Sequence, residues 1–235
     1  MTGTPAFPPL MQGMNAAGAD PFEAACVEAA RGCDAGLILY DIAPERLRAA
    51  IVLAPEVALK QAAAMLPLTG VAVQNTLGAL GPPELAVHLG WTGAIFVNGA
   101  ACGQLRAASD SCVPEDVPGW LVTGVEVVFA RPGLDGGESP GETDLSAEGC
   151  GDLEPAAVLE SWSRHLMNWL SRWEDEGIAP LHREWSGLAH GLGEPARVQG
   201  QSGTFLGLDE TLGLLLRQDT GTIVIPLTDL LETRP

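Results

Sequence analysis

The stretch His88-Leu89-Gly90-Trp91-Thr92-Gly93-Ala94-Ile95-Phe96-Val97-Asn98-Gly99-Ala100-Ala101-Cys102-Gly103-Gln104-Leu105 decides how the chain is read. Two apolar runs, residues 94–97 and 101–107, flank Asn98-Gly99, a dipeptide that tolerates the positive φ angles of a type I′ turn. The segment therefore predicts a β-hairpin. Before it, Gly81-Pro82-Pro83 stops any helix by removing backbone donors, so residues 84–91 read as a strand leading into the hairpin. After it, WLVTGVEVVF (120–129) is a further strand, and residues 131–152, rich in Gly, Pro, Glu and Ser, form an exposed loop.

Toward the N-terminus, Asp20-Pro21-Phe22-Glu23 opens a helix, with Asp20 as N-cap, Pro21 at the first turn and Glu23 at the capping-box position. Gly32 ends it, giving a helix over 21–31. GLILYDI (36–42) and LRAAIVLA (47–54) are strands joined by Ala43-Pro44-Glu45. Pro55 then opens a helix running to about residue 65, and LTGVAVQNTLGAL (68–80) has helical spacing of its apolar residues.

Toward the C-terminus, Leu159, Trp162, Leu166, Trp169 and Trp173 recur at steps of three and four, the stripe of an amphipathic helix over 155–175. A shorter helix follows over 180–189, broken by Gly191 and Gly193. Beyond it PARVQG, GTFLGLD, GLLLRQ and TIVIPL are short strands in the pattern of a tiny antiparallel barrel. The expectation is an α/β (α+β) main domain over 1–189, a mixed sheet flanked by helices, and a small β-barrel over 190–235. So short a barrel has too little core to stand alone and should dock on the main domain.

Composition narrows the functions. A net charge of −18 opposes phosphate backbones and acidic lipid surfaces, so nucleic acid and membrane are not expected partners. No run approaches the roughly 18 to 20 uninterrupted apolar residues of a membrane span, and the N-terminal stretch lacks the basic region of a secretory signal, which predicts a cytoplasmic protein. Cys26, Cys33, Cys102, Cys112 and Cys150 lack CxxC spacing and are odd in number, so reduced structural thiols are expected. His88, His165, His182 and His190 lack metal-ligand spacing, and no metal is expected. The only lysine is Lys60. A catalytic lysine elsewhere is excluded.

The order of elements resembles the biotin/lipoate A/B protein ligase family: a biotin protein ligase catalytic core of class II synthetase type followed by an SH3-like domain. Residues 88–105 are similar to the family's K-W-P-N-D, hairpin, A-G-I-L run, with Trp91, the turn and Gly103 matching. Gly191 to Val198, Gly207-Leu208-Asp209 and Gly213 to Leu216 resemble its C-terminal barrel, and Thr143-Asp144-Leu145 resembles its T-S-L loop. The resemblance implies biotin, lipoate or ATP as ligands, and a biotinyl or lipoyl carrier domain as partner.

The departures from the family pattern bear on chemistry. The family's lysine before the tryptophan contacts charge developing during adenylation; here that position is Gly90, which has no side chain to do so. The G-R-G-R-R-G phosphate loop is replaced by the shorter Asp41-Ile42-Ala43-Pro44-Glu45-Arg46-Leu47-Arg48, where only Arg46 and Arg48 could substitute. The Asn and Asp after the Trp-Pro pair become Gly93 and Ala94. The S-T-N biotin contact is absent near Ala19-Asp20-Pro21. The second glycine of the family's G-I-G-x-N strand becomes Glu126, beside the matching Gly124; its carboxylate points either into the pocket or, by strand alternation, to solvent.

The candidate ligand-binding residues are thus Arg46, Arg48, Trp91, Gly103, Arg106, Gly124 and Glu126, with no catalytic residue assigned. The first reading is a protein that keeps the fold and a small-molecule pocket without ligase chemistry. The alternative is an active biotin, lipoate or octanoate ligase or transferase rebuilt around Arg46, Arg48 or Arg106, since arginine binds oxyanions bidentately. A third is a structural or assembly role. Cys102 reads either as a packing residue or as a thioester-forming nucleophile like that of the octanoyl transferase branch. The hairpin is expected beside the main pocket.

Overall fold

The structure, a computed structural model, describes residues 4–131 and 141–234. Part of the loop read over 131–152, residues 132–140, lies outside the described residues.

Helix α1 (Pro21–Ala30) starts where the sequence places it: Asp20 Oδ1 accepts from the amides of Phe22 and Glu23 at 2.8 and 3.3 Å, and Gly32, at φ +82°, follows the helix end. Strands β2 (Leu37–Ala43) and β3 (Arg46–Leu53) form an antiparallel pair. Residues 55–58 are not helical, contrary to expectation. The chain reaches only the short α2 (Leu59–Ala62), because the amides of Leu59 and Lys60 are taken by the carbonyls of Asp116 and Pro114. Helix α3 (Met65–Leu80) begins three residues earlier than read, and its C-cap is Gly81.

Strand β4 is shorter than expected (Val87–Leu89), because the turn Gly90–Gly93 closes there, with the Gly90 amide donating to the Ala94 carbonyl. Strands β5 (Ala94–Val97) and β6 (Ala100–Ser109) flank Asn98 and Gly99 at φ +50° and +89°, the predicted hairpin. Strand β7 (Leu121–Val128), helix α4 (Pro155–Glu176) and helix α5 (Ala179–Leu188) follow.

Two strands escaped the sequence reading. Strand β1 (Gln12–Asn15) lies parallel beside β2. Strand β12 (Glu232–Thr233) returns from the C-terminal region and lies parallel to β6 at Ala108 and Ser109. The sheet runs β1-β2-β3-β7-β6-β5-β4, with β12 taking the edge of β6 beyond the point where β5 leaves it at Gln104.

Helices α3 and α4 cover one face of this sheet and α1 the other. The Trp stripe is core: Trp162 is 1% exposed and Trp169 donates Nε1 to Asn75 Oδ1 at 2.7 Å. Thr69 of α3 donates to its own helix at Met65 O (2.7 Å), and its hydroxyl lies 2.9 Å from that of Thr123 on β7. The run Leu59–Leu80 is long and apolar enough to cross a membrane by length and composition, and 72% of its most apolar stretch is buried in this core.

The C-terminal strands β8 (Pro195–Val198), β9 (Gln201–Leu208), β10 (Leu214–Gln218) and β11 (Gly221–Ile225) form a separate four-stranded domain, and it is an open sheet in the order β11-β10-β9-β8, not a closed barrel. Among the described residues the outer strands β11 and β8 do not pair with each other, which leaves the sheet open. The sheet instead buries one face, including Phe205, Leu214 and Leu216, in continuity with the main core.

Candidate functional site

Residues on β3, β7 and β6 alternate between the two faces of the sheet. Ala49, Ile51, Leu105, Val125 and Val127 join the core under α3 and α4, while Ala50, Val52, Ala108 and Val122 meet α1. Along the α1 face, toward the start of that helix, apolar residues give way to charged ones. The register sets Arg48, Glu126 and Gln104 in one row across the three strands, and Ala50, Gly124 and Arg106 in the next. Of these, Arg48, Glu126, Gln104, Gly124 and Arg106 line, with Asp20, Pro21 and Phe22, a cleft of about 100 Å3. Gly124 is what lets α1 approach: a Cβ there would lie 2.6 Å from the Phe22 ring. Glu126, in the row of Arg48 and Gln104, is among the residues that line the cleft.

The cleft's cations are already engaged. Arg48, mostly buried, donates to Asp41 Oδ2 at 2.7 Å, and its Nε is buried with no hydrogen-bond partner. Arg106 lies over the Phe22 ring, 4.1 Å from its centre, and donates to Glu23 at 2.9 Å and to Glu232 at 2.9 and 3.1 Å, with Asp20 at 3.7 Å. Arg234 pairs with the same Glu23 and Glu232. Hydrogen bonds from Arg234, and from Arg106 against the opposing effect of burial, hold the Glu23 carboxyl down at about 2. Three arginines thus meet four carboxylates (Asp20, Glu23, Asp41, Glu232), and Glu126, unpaired among the described residues, adds a fifth. The balance around the cleft is negative.

Residues 7–187 match the biotin/lipoate A/B protein ligase family. The chain belongs to that family. Residues 192–233 match a domain of unknown function, DUF4444. A biotin–[acetyl-CoA-carboxylase] ligase of Paracoccus denitrificans is 24% identical over 186 residues, 76% of this chain and 77% of that protein. Among solved structures, a biotin protein ligase-like protein of unknown function from a Silicibacter species is 53% identical with a TM-score of 0.92, covering 98% of this chain and 100% of that one. The Aquifex aeolicus biotin protein ligase in complex with biotin and ATP shares the fold, at 15% identity and TM-score 0.69 over 92% of this chain and 94% of that one.

Within this ligase-family fold the sequence-derived candidates separate. Arg48, Arg106, Gly124 and Glu126 come together at the cleft. Arg46 sits two residues from Arg48 at the exposed start of β3, without an ion pair among the described residues. Trp91 and Gly90 lie elsewhere. They line a narrow apolar crevice on the α3 side with Leu66, Leu105, Trp185 and Leu212, and Trp91 Nε1 donates to Leu212 O at 2.9 Å. Trp91 fastens the C-terminal sheet to the main domain rather than lining the cleft. Gly103 is a close-approach residue, since a Cβ would lie 2.2 Å from the Glu126 carbonyl oxygen.

The hairpin's second strand supplies Gln104 and Arg106, but its turn at Gly99 lies roughly 17 Å from Gln104 along β6, at about 3.3 Å per residue; only that strand adjoins the cleft. Cys102 is fully buried and burial pushes its thiol up to about 12, which leaves almost no thiolate at neutral pH. Lys60 pairs with Glu115 at 2.6 Å, away from the cleft. Among the described residues no three His, Cys, Asp or Glu side chains are grouped to hold a metal.

The sequence reading missed Asp41, Phe22, Glu23, Glu232 and Arg234. Glu23 was read as a capping-box residue, whereas its carboxylate binds Arg106 and Arg234. The signal available was its place one turn into a helix that the family resemblance sets beside the ligand site. Nothing in the local sequence announced Glu232 or Arg234.

Proposed function

We propose that this member of the ligase family holds a small ligand in the α1-facing cleft without activating a carboxylate, and acts by binding that ligand or a biotinyl- or lipoyl-type carrier domain. One observation carries this reading: the arginines that line the cleft are already paired with carboxylates, while Glu126 faces the same space unpaired. Adenylation places negative charge on a phosphate and an attacking oxygen. Each preorganised cation or donor lost from such a site typically costs about 100- to 1000-fold in rate. Gly90 in place of the family lysine and the lack of a Gly-Arg loop act in the same direction.

ATP–pyrophosphate exchange with biotin, lipoate and octanoate in turn tests the proposal, with calorimetric titration of each acid alongside. The expected result is exchange indistinguishable from buffer. Exchange that depends on one of the acids overturns it.

A single feature favours the alternative of a rebuilt ligase. Arg46 is exposed at the start of β3 and has no ion pair among the described residues, so it is free to meet an oxyanion. Under that reading exchange occurs in the parent protein and disappears in Arg46→Ala.

A further inference from the structure

The last described strand does more than extend the sheet. Glu232 spans Nε and Nη2 of Arg106, Arg234 reaches across to Glu23, and the Arg234 amide donates to Ser109 O at 2.9 Å. The charges of α1, β6 and β12 are thereby consumed in one closed network over the Phe22 ring, with the Arg234 guanidinium 5.5 Å from its centre. The strand itself is slight. It pairs through two residues, the Glu232 side chain is 40% exposed and Thr233 is exposed, and it leaves a short helical turn, Leu227–Leu230, whose anchor is the buried Leu227. Short segments held by exposed ion pairs lie at the low-stability end of a fold, where local opening precedes global unfolding.

We infer that β12 is a displaceable latch that closes an anion site centred on Arg106. With β12 seated, Glu232 takes the Nε and Nη2 donors, and a carboxylate or phosphate ligand would have to displace it. With β12 lifted, Arg106 keeps only Glu23 and the distant Asp20, and its fork regains the geometry that binds an oxyanion bidentately. The same segment brings Arg234 to Glu23, so lifting it also returns one uncompensated carboxylate to the end of α1. The latch must therefore be opened by a ligand or partner that repays this, and a ligand reaching Arg106 alone gains little from the closed protein. This inference does not depend on whether the family chemistry is retained, because binding and not turnover is measured.

The experiment compares the full chain with Glu232→Gln, which keeps the shape but removes the charge facing Arg106. Valerate and inorganic phosphate are the probes, titrated calorimetrically at low salt. The expected outcome is at least tenfold tighter binding of one probe by the variant than by the parent, lost again in the Glu232→Gln, Arg106→Ala double variant. Hydrogen exchange of the Thr233 and Arg234 amides should speed up in Glu232→Gln while that of β7 stays unchanged, showing that the fold is intact and the strand has loosened. If Glu232→Gln does not fold, Arg234→Ala is read the same way. Equal binding by parent and variant overturns the latch, as does tightening that survives loss of Arg106, or no binding by any form. Pyrophosphate exchange by the parent would bear on the proposed function and leave this comparison untouched.

Discussion

The two faces of the strands β3, β7 and β6 differ as much as any two regions of the molecule. One is closed under α3 and α4 by Ile51, Leu105, Val125 and their neighbours; the other carries Arg48, Glu126, Gln104 and Arg106 toward α1. A shift of a single residue along a strand moves a side chain from one to the other. The first face carries the larger buried cluster, and the candidate residues Arg48, Arg106, Gly124 and Glu126 lie on the second. A substitution on the second face therefore disturbs few buried contacts, whereas one on the first disturbs the core.

The largest test of that contrast is Trp162→Ala on the closed face. It should destabilise the protein by about 3–5 kcal/mol in urea unfolding, the range for truncating a buried aromatic. Trp91→Phe comes next: it leaves the Leu212 carbonyl without its donor, with a cost of about 1–3 kcal/mol and a loss of protection concentrated in the C-terminal sheet.

On the charged face effects should be smaller and dependent on pH. The folded Glu23 carboxyl titrates at about 2 against an ordinary 4.5, so its contribution is complete above pH 5 and disappears as pH falls from there toward 2. Glu23 is 46% exposed, and after solvent screening the contribution is under about 1 kcal/mol. Melting curves of the parent and Glu23→Gln should differ at pH 7 and converge near pH 2. Glu126→Gln should change stability by no more than about 0.5 kcal/mol; a loss as large as that of Trp162→Ala would abolish the contrast. The smallest effect is chemical. Alkylation at neutral pH should mark the exposed Cys112 first and leave Cys26, held up at about 11 by burial, and Cys102 untouched until the chain unfolds.

Most of the architecture was legible because it is written in local signals. The Asp20-Pro21 cap, the Asn98-Gly99 turn and the Trp stripe each fix an element through neighbours in sequence, and each formed as read. The barrel failed as a reading because strand spacing does not say whether a sheet closes, and closure here yields to docking on the main core. Strand β1 was hidden in a polar run with no alternation, and β12 has only two residues.

At the site, Arg48, Arg106, Gly124 and Glu126 were named singly through the family pattern; the structure brings them to one cleft and shows what they hold. Whether an arginine is free or spent depends on partners far along the chain, and for Arg106 one of them is 126 residues away. Trp91 lies apart from this cleft, and the partner of its indole, Leu212 O, is 121 residues away and not legible in the local sequence.

That separation also has a consequence in time. Glu23 is bonded to Arg234 across 211 residues, so on a ribosome adding about 5–20 residues per second the helix carrying Glu23 emerges roughly 10–40 s before its partner exists. From the emergence of β6 until then, its edge is open and Glu23 and Arg106 have only each other and Asp20, without the strand that brings Glu232 and Arg234. Any nascent-chain companion that recognises this surface has only that interval in which to act, and the arrival of Glu232 and Arg234 ends it.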